Sequence, residues 1–434
     1  MKKFTTALIC LTILLNIFSA LPGFALTSGD FEYKLVNDTV TIVKYNGGQS
    51  SVTVPSAIDG KTVTAIATNA FKDKESLTNI SIPDSVISIG ENAFEGTAWY
   101  NNKPNGLVYI GKVAYKLKNT SLPWNSSLPV LEGTKGIGDA AFINCETLTD
   151  IELPDSVENL GKATFYNCKR LNNVIVPDSV TYLDENVFAL CSSLTNISLP
   201  KGLKSIKDGA FVGCTNLTSI ALPSALETIG DSAFSFCINL ETVKMSNMAD
   251  IGRYAFAYNY GLTRFFVPEG VTYIGEKAFA NCTSLKNIII SRSVSSFGKD
   301  VFTNYPDNFV IIGYGGSQAQ QYANSNQIPF ILLDNWDEDA AFYTVSAVAG
   351  ISGGNISINT VTSTDINGYI LMYAAYDADN VLTAFKTIKP DVNATKFQTT
   401  LTNAKNAKTV KVFLWKDTAS IAPLSKCETL DVSE

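Results

Sequence analysis

Residues 141–161 read AFINCETLTDIELPDSVENLG and residues 210–230 read AFVGCTNLTSIALPSALETIG; the two start 69 residues apart, three times 23. Phenylalanine marks the same phase at Phe71, Phe94, Phe142, Phe165, Phe188, Phe211, Phe234, Phe256, Phe279 and Phe302, with steps of 23 residues broken once by 48 and once by 22. Six residues after eight of the ten markers a leucine recurs, as Leu77, Leu148, Leu171, Leu194, Leu217, Leu240, Leu262 and Leu285. Apolar residues follow at nine and eleven, for example Ile151 with Leu153 and Ile220 with Leu222. An alternation of that kind is a short strand with one buried face. Prolines such as Pro154, Pro177 and Pro223 come next, and they end the strand because proline has no ladder donor.

A second apolar pair, Val157 with Leu160 or Val271 with Ile274, leads to a glycine column at Gly90, Gly138, Gly161, Gly230, Gly252, Gly275 and Gly298. Glycine there is expected to serve a corner at positive φ, and the Ala-Phe segment to close the coil as one helical turn. One coil cannot bury its own apolar side, so neighbours must stack into a continuous core. The fold expected is a repeat solenoid, a right-handed superhelix with short parallel strands.

The repeat units quoted above resemble the BspA-type leucine-rich repeats of bacterial surface proteins, over residues 31–333. That resemblance implies a secreted or cell-surface protein, and some members of the family are adhesins for host matrix proteins or for other bacteria.

Outside the repeats, Lys2, Lys3, an apolar run over residues 7–20 and the small residues Gly23 and Ala25 have the layout of a secretory signal peptide, expected to end at residue 25. No second apolar run of spanning length follows, so no transmembrane segment is expected in the mature chain. Residues 26–70 read as an N-terminal β cap, 71–333 as the solenoid with a C-terminal cap at 309–333, and 98–135 as a hairpin insertion within the 48-residue step. From residue 340 to 434 the register is gone and short alternating strands suggest an all-β sandwich of fibronectin-III or immunoglobulin-like type.

The 434 residues carry a net charge of −7 and no histidine. The charge argues against nucleic acid as a partner, whose usual footprint is a basic patch. The missing imidazole removes Ser–His and Cys–His catalysis and His-ligated zinc. Carboxylate pairs, Ser–Lys systems and oxygen-ligated metals stay open in principle, but no carboxylates form a recognisable pair at catalytic spacing, so the chain is expected to be no enzyme and to need no metal or cofactor. Cys145, Cys168, Cys191, Cys214, Cys237 and Cys282 share one phase, three residues after a marker phenylalanine. A metal ladder lacks any CxxC pair. Disulfides between coils would need Cβ atoms nearer than parallel stacking gives them. Buried free thiols are the expected reading, since free cysteine behaves as a compact hydrophobe.

Recognition in such an array belongs to side chains pointing off the strand face, eight and ten residues after the marker. Lys244, Arg264, Phe266 and Ile289 gather charge and apolar surface on the later coils, with Tyr254, Tyr258 and Tyr260 near them in sequence. Arginine and aromatic side chains are enriched at protein hot spots. Lys244, Arg264, Phe266, Ile289 and Tyr258 are thus the expected contacts for an extracellular protein, either host matrix or another bacterial surface protein. Trp99, Tyr109 and Trp124 in the insertion, with the appended sandwich, suggest the alternative of a glycan-binding or cell-wall-associated structural scaffold, against the plainer expectation that these rings pack the hairpin onto the coil.

Overall fold

The coil is built from three sides, and the sequence period decides where each begins. The computed structural model describes residues 25–118, 126–245 and 250–332, and the backbone of seven strands between Val345 and Asp431. The chain divides into two compact units, residues 1–332 and 333–434.

The first side is a ladder of short parallel strands. Leu148–Glu152, Asn173–Ile175 and Asn196–Ser198 pair in sequence order, and Asn173 faces Asn196 as Val174 faces Ile197, an offset of one repeat. Arg264–Val267, Asn287–Ile290 and Val310–Gly313 continue in the same register further along. Val174, Ile220, Phe265 and Ile288 turn inward and are buried. The second side is a six-stranded parallel sheet of two-residue strands, from Tyr182–Leu183 to Ser296–Phe297. Thr228 there faces Asp250 and Ile229 faces Ile251, so this ladder keeps its pairing across the 22-residue step.

The third side is not the helical turn expected from the Ala-Phe pair. It is a run of turns in which the residues two before and two after the phenylalanine are left-handed, as in Ala163 (φ 51°) and Asn167 (φ 60°) around Phe165. Alternation of hand points every second N–H along the solenoid axis. Ala163, Phe165 and Asn167 accordingly donate to the carbonyls of Glu185, Val187 and Ala189 in the next coil, at 2.8, 2.9 and 2.8 Å. A helical turn would have spent those donors inside its own coil.

The glycine column also differs from expectation. None of its members has positive φ. A Cβ on Gly252 would lie 2.5 Å from the carbonyl carbon of Gly230, and one on Gly275 2.5 Å from that of Gly252. The column exists because successive backbones touch there. In two coils Asp184 and Lys207 occupy it instead, joined by an ion pair of 3.1 Å.

Inside the triangle the phenylalanines stack. Phe142, Phe165, Phe188, Phe211, Phe234, Phe256, Phe279 and Phe302 form one column with ring centroids 5.1–5.6 Å apart. The column breaks at the insertion, where Tyr115 meets Phe94 edge-on and accepts a hydrogen bond from the Phe94 N–H at 3.2 Å. The core correspondingly falls into two clusters that part at Ala114 and Tyr115.

The insertion is a four-residue helix, Ala98–Asn101, followed by the antiparallel strands Gly106–Ile110 and Val113–Lys118. At the N-terminal end Phe31–Val36 and Thr39–Tyr45 form an antiparallel hairpin, and the latter strand starts the second ladder by pairing parallel to Lys61–Ile66. At the other end the helix Gln318–Ser325 crosses from Val310–Gly313 to a last parallel strand, Phe330–Leu332. Ser317 caps it by accepting from the Gln320 N–H at 3.3 Å, and Gln320 Oε1 reaches back to the Gly316 N–H at 2.8 Å.

The second unit contains two antiparallel sheets. One orders Val345–Ser352, Asn355–Thr362 and Lys396–Leu401; the other Leu382–Ile388, Ile370–Tyr376, Thr409–Trp415 and Glu428–Asp431. No helix of the described residues is long and apolar enough to cross a membrane. The signal-peptide stretch lies outside the described residues.

Candidate binding surfaces

Alternation along each strand sends residues eight and ten after the phenylalanine away from the core. Lys244 and Arg264 are exposed there, while Phe266 and Ile289 are half-buried. Ladder register aligns Phe266, Ile289, Ile312 and Ile331 in one row, so four apolar side chains line up along the outward face of successive strands. Ile331 is 51% exposed, so the row ends in open apolar surface. Lys244 belongs to a separate two-stranded piece of the ladder with Ser219–Ala221. Earlier coils present mostly polar side chains on the same face, with Ile175, 73% exposed, as an apolar exception; the polar ones bond along it, as where Asn196 Nδ2 donates to Asn173 Oδ1 at 3.2 Å.

Tyr258 does not join that row. It sits on the turn side, two residues after Phe256, at φ 62°. Its ring stacks on Phe236 with centroids 4.2 Å apart and planes within 6°. Leu190 occupies the equivalent place two coils before Phe236 and leans over Gly213, whose added Cβ would lie 2.7 Å from Leu190 Cδ2. Leu190 and Phe236 are exposed and left-handed, which costs roughly 1 kcal/mol for each such side chain. Other coils place Asn144, Asn167, Gly213 or Asn281 in this column, residue types that accept the left-handed region readily. The turn-side apolar pair was missed in the sequence, although bulky residues in an Asn/Gly column were the visible signal.

The six column cysteines are free and fully buried. Each of five thiols donates to the carbonyl of the phenylalanine 26 residues earlier: Cys168 to Phe142, Cys191 to Phe165, Cys214 to Phe188 and Cys237 to Phe211 at 3.1 Å, and Cys282 to Phe256 at 3.2 Å. Asn259 replaces cysteine in one coil and performs the same task, its Nδ2 donating to the Phe234 carbonyl at 3.0 Å. The position therefore calls for a small side chain that can donate. Burial pushes the Cys191, Cys237 and Cys282 thiols up to about 12. They stay protonated near neutral pH, when the thiolate is the reactive form. A soluble thiol reagent should leave these six cysteines unlabelled in the native protein and label all of them after denaturation without reductant. Native labelling of the column, or a need for reductant, would contradict the arrangement.

Among the described residues no cluster of three or more cysteine and carboxylate side chains could hold a metal ion. Asp139 is raised to about 6 by burial, against the pull of the Lys162 N–H that it accepts at 2.9 Å. That bond ties adjacent coils.

Of the insertion aromatics, Trp99 is 9% exposed and packs edge-on against Phe94, and Tyr100 packs against Tyr115. Tyr109 is half-buried, its hydroxyl accepting from the Leu131 N–H at 3.0 Å. These rings hold the hairpin to the coil, and Trp99 offers only a rim to a ligand. Trp124 lies outside the described residues.

Phased strands, a stacked phenylalanine column and touching backbones define a leucine-rich-repeat solenoid. The description "BspA type Leucine rich repeat region" matches in six copies over residues 46–127, 110–217 and 190–309, more than half of the 434 residues. The chain belongs to the BspA-type leucine-rich-repeat family.

Among solved structures it is similar to a leucine rich cell surface protein from Faecalibacterium prausnitzii A2-165, with 25% identity, 70% of this chain and 98% of that one covered, and a TM-score of 0.29. A leucine-rich repeat protein from Bacteroides ovatus is 23% identical over 72% of this chain and all of its own, with a TM-score of 0.35. The T. pallidum leucine rich repeat protein is 26% identical over 60% and 91%, with a TM-score of 0.27. No curated protein matches the chain.

Proposed function

We propose that the protein is an extracellular binding protein that uses its solenoid as a rigid scaffold and docks another protein on the outward strand face of its later coils. The observation that carries this reading is the in-register row Phe266–Ile289–Ile312–Ile331, with the exposed Arg264 guanidinium beside its first member. Apolar surface flanked by arginine is the composition of a protein hot spot. The family and the leader-like sequence of residues 1–25 support a place outside the cell, secreted or held at its surface. The two sheets of residues 340–434 are read as the layers of a fibronectin-III or immunoglobulin-like sandwich, a spacer or second contact module.

The test is adhesion of the purified mature chain, residues 26–434, to a panel of immobilised matrix proteins and to whole bacteria. One partner should bind saturably, and an Arg264→Ala/Phe266→Ala double variant should bind it about tenfold more weakly or worse, the loss of one hot-spot contact. Full adhesion by the double variant would remove this face as the binding site.

A further inference from the structure

The ladder of short strands falls into separate pieces, and the first break, after Asn79–Ser81, leaves a cleft. Asn79–Ser81 pairs with Ser51–Thr53 and, among the described residues, with no strand on its other side. In place of the next strand the chain turns into the helix Ala98–Asn101, which rises as a wall. Between wall and strand pair lies a cleft of about 330 Å³, at the lower end of ligand-pocket volumes.

Its floor carries the outward side chains Ser51, Thr53, Asn79 and Ser81, and its wall is Trp99, Asn102 and Lys103. Among the described residues no protein group hydrogen-bonds the side chains of Ser51, Thr53, Asn79, Ser81 or Asn102. Equivalent side chains further along the ladder do bond one another, as Asn173 and Asn196 show. Hydroxyl and amide groups can both donate and accept. Five of them converging unpaired on one cleft match the hydroxyl pattern of a sugar ring.

The wall is held in place. Thr97, fully buried, accepts from the Tyr100 N–H at 3.1 Å and donates to the Phe94 carbonyl at 2.7 Å. The Trp99 N–H donates to the Leu77 carbonyl at 2.8 Å, fixing the wall to the coil. Lys118 Nζ donates to the carbonyls of Tyr100, Asn101 and Lys103 at 3.2, 2.7 and 2.7 Å, so one ammonium pins the wall's far end. A site ordered in advance loses less on binding.

Charge narrows the ligand. Among the described residues that line the cleft Lys103 is the one charged group and none is a carboxylate; its ammonium lies 4.8 Å from the Trp99 ring centre. We infer that this cleft binds a carboxylate-bearing sugar: Lys103 meets the carboxylate, the Ser/Thr/Asn floor meets the hydroxyls, and the rim of Trp99 meets an apolar ring edge.

Calorimetric titration of the full mature chain tests this with three probes: methyl glucuronoside, N-acetylneuraminic acid and the uncharged methyl glucoside. At least one acidic sugar should bind saturably and about tenfold more tightly than methyl glucoside; which one it is separates a uronate from a sialate source. Lys103→Gln should erase the difference between charged and uncharged sugars, and Asn79→Ala/Ser81→Ala should weaken both, with the melting midpoint unchanged in each variant. No saturable binding of either acidic sugar, or binding that these variants leave intact, would overturn the proposal. The site lies in the first coils, so its failure leaves the protein-docking face untouched, and the reverse holds too.

Discussion

Replacing Phe211 by alanine is expected to lower the stability of the solenoid by about 3–5 kcal/mol, the usual range for a phenylalanine removed from a closed core. Phe211 is fully buried, between Phe188 at 5.5 Å and Phe234 at 5.1 Å. The void cannot close by sliding the coils together. Phe188 N–H already bonds the Ala210 carbonyl and Phe211 N–H the Ala233 carbonyl, both at 2.8 Å, and these bonds set the coil spacing. Urea unfolding followed by circular dichroism gives the change. Phe302 has only one ring of the column beside it, Phe279, and is 5% exposed, so Phe302→Ala should cost less. A loss below about 1 kcal/mol at Phe211 would mean that the column does not carry the core.

Gly252→Ala is the second large effect, and its cause is the opposite one. A methyl group there would press against the backbone of Gly230, with its carbon at 2.5 Å and oxygen at 2.6 Å. Backbone cannot rotate away as a flexible side chain can. Forced separation of the two coils would stretch the bonds from Gly252 N–H to the Ile229 carbonyl, 2.8 Å, and from Ser232 N–H to the Arg253 carbonyl, 2.7 Å. Overpacking of this kind costs about 1–3 kcal/mol and sometimes more. Gly202→Ala is the control, since an added Cβ there meets nothing within 4 Å. The expected result is a clear drop in melting midpoint for Gly252→Ala and almost none for Gly202→Ala; equal midpoints would refute the touching-backbone account.

The two predictions mark what the sequence makes legible and what it conceals. The phenylalanine and leucine columns, and the strand positions between them, are inward by period alone, and Phe211, Leu217 and Ile220 are all buried. The glycine column is visible as a pattern, but glycine serves both positive φ and close approach, and one sequence does not separate those uses. The left-handed positions were in fact marked elsewhere, by Asn144, Asn167, Asn281 and Asn304 two residues after the phenylalanine. The cysteine column reads correctly as buried thiols, but its purpose emerges only from geometry: Asn259, Cys168 and their equivalents donate to a phenylalanine carbonyl.

The candidate surfaces were legible in part. Arg264, Phe266 and Ile289 fall on one outward face because alternation is a property of the strand itself. Tyr258 was misplaced because proximity in sequence crosses a corner of the coil. Trp99 turned from a candidate platform into a wall because the insertion folds back onto Phe94. The cleft beside it could not be read from the chain, since it arises where an expected strand is absent.

The central claim is that inward columns make the fold and outward rows make the function. The most direct test measures melting midpoint and partner adhesion on the same sample of the Arg264→Ala/Phe266→Ala variant. A midpoint close to that of the parent chain, with adhesion lowered about tenfold, is the result this account predicts. Unchanged adhesion, or adhesion lost only in step with a collapsed midpoint, would contradict it.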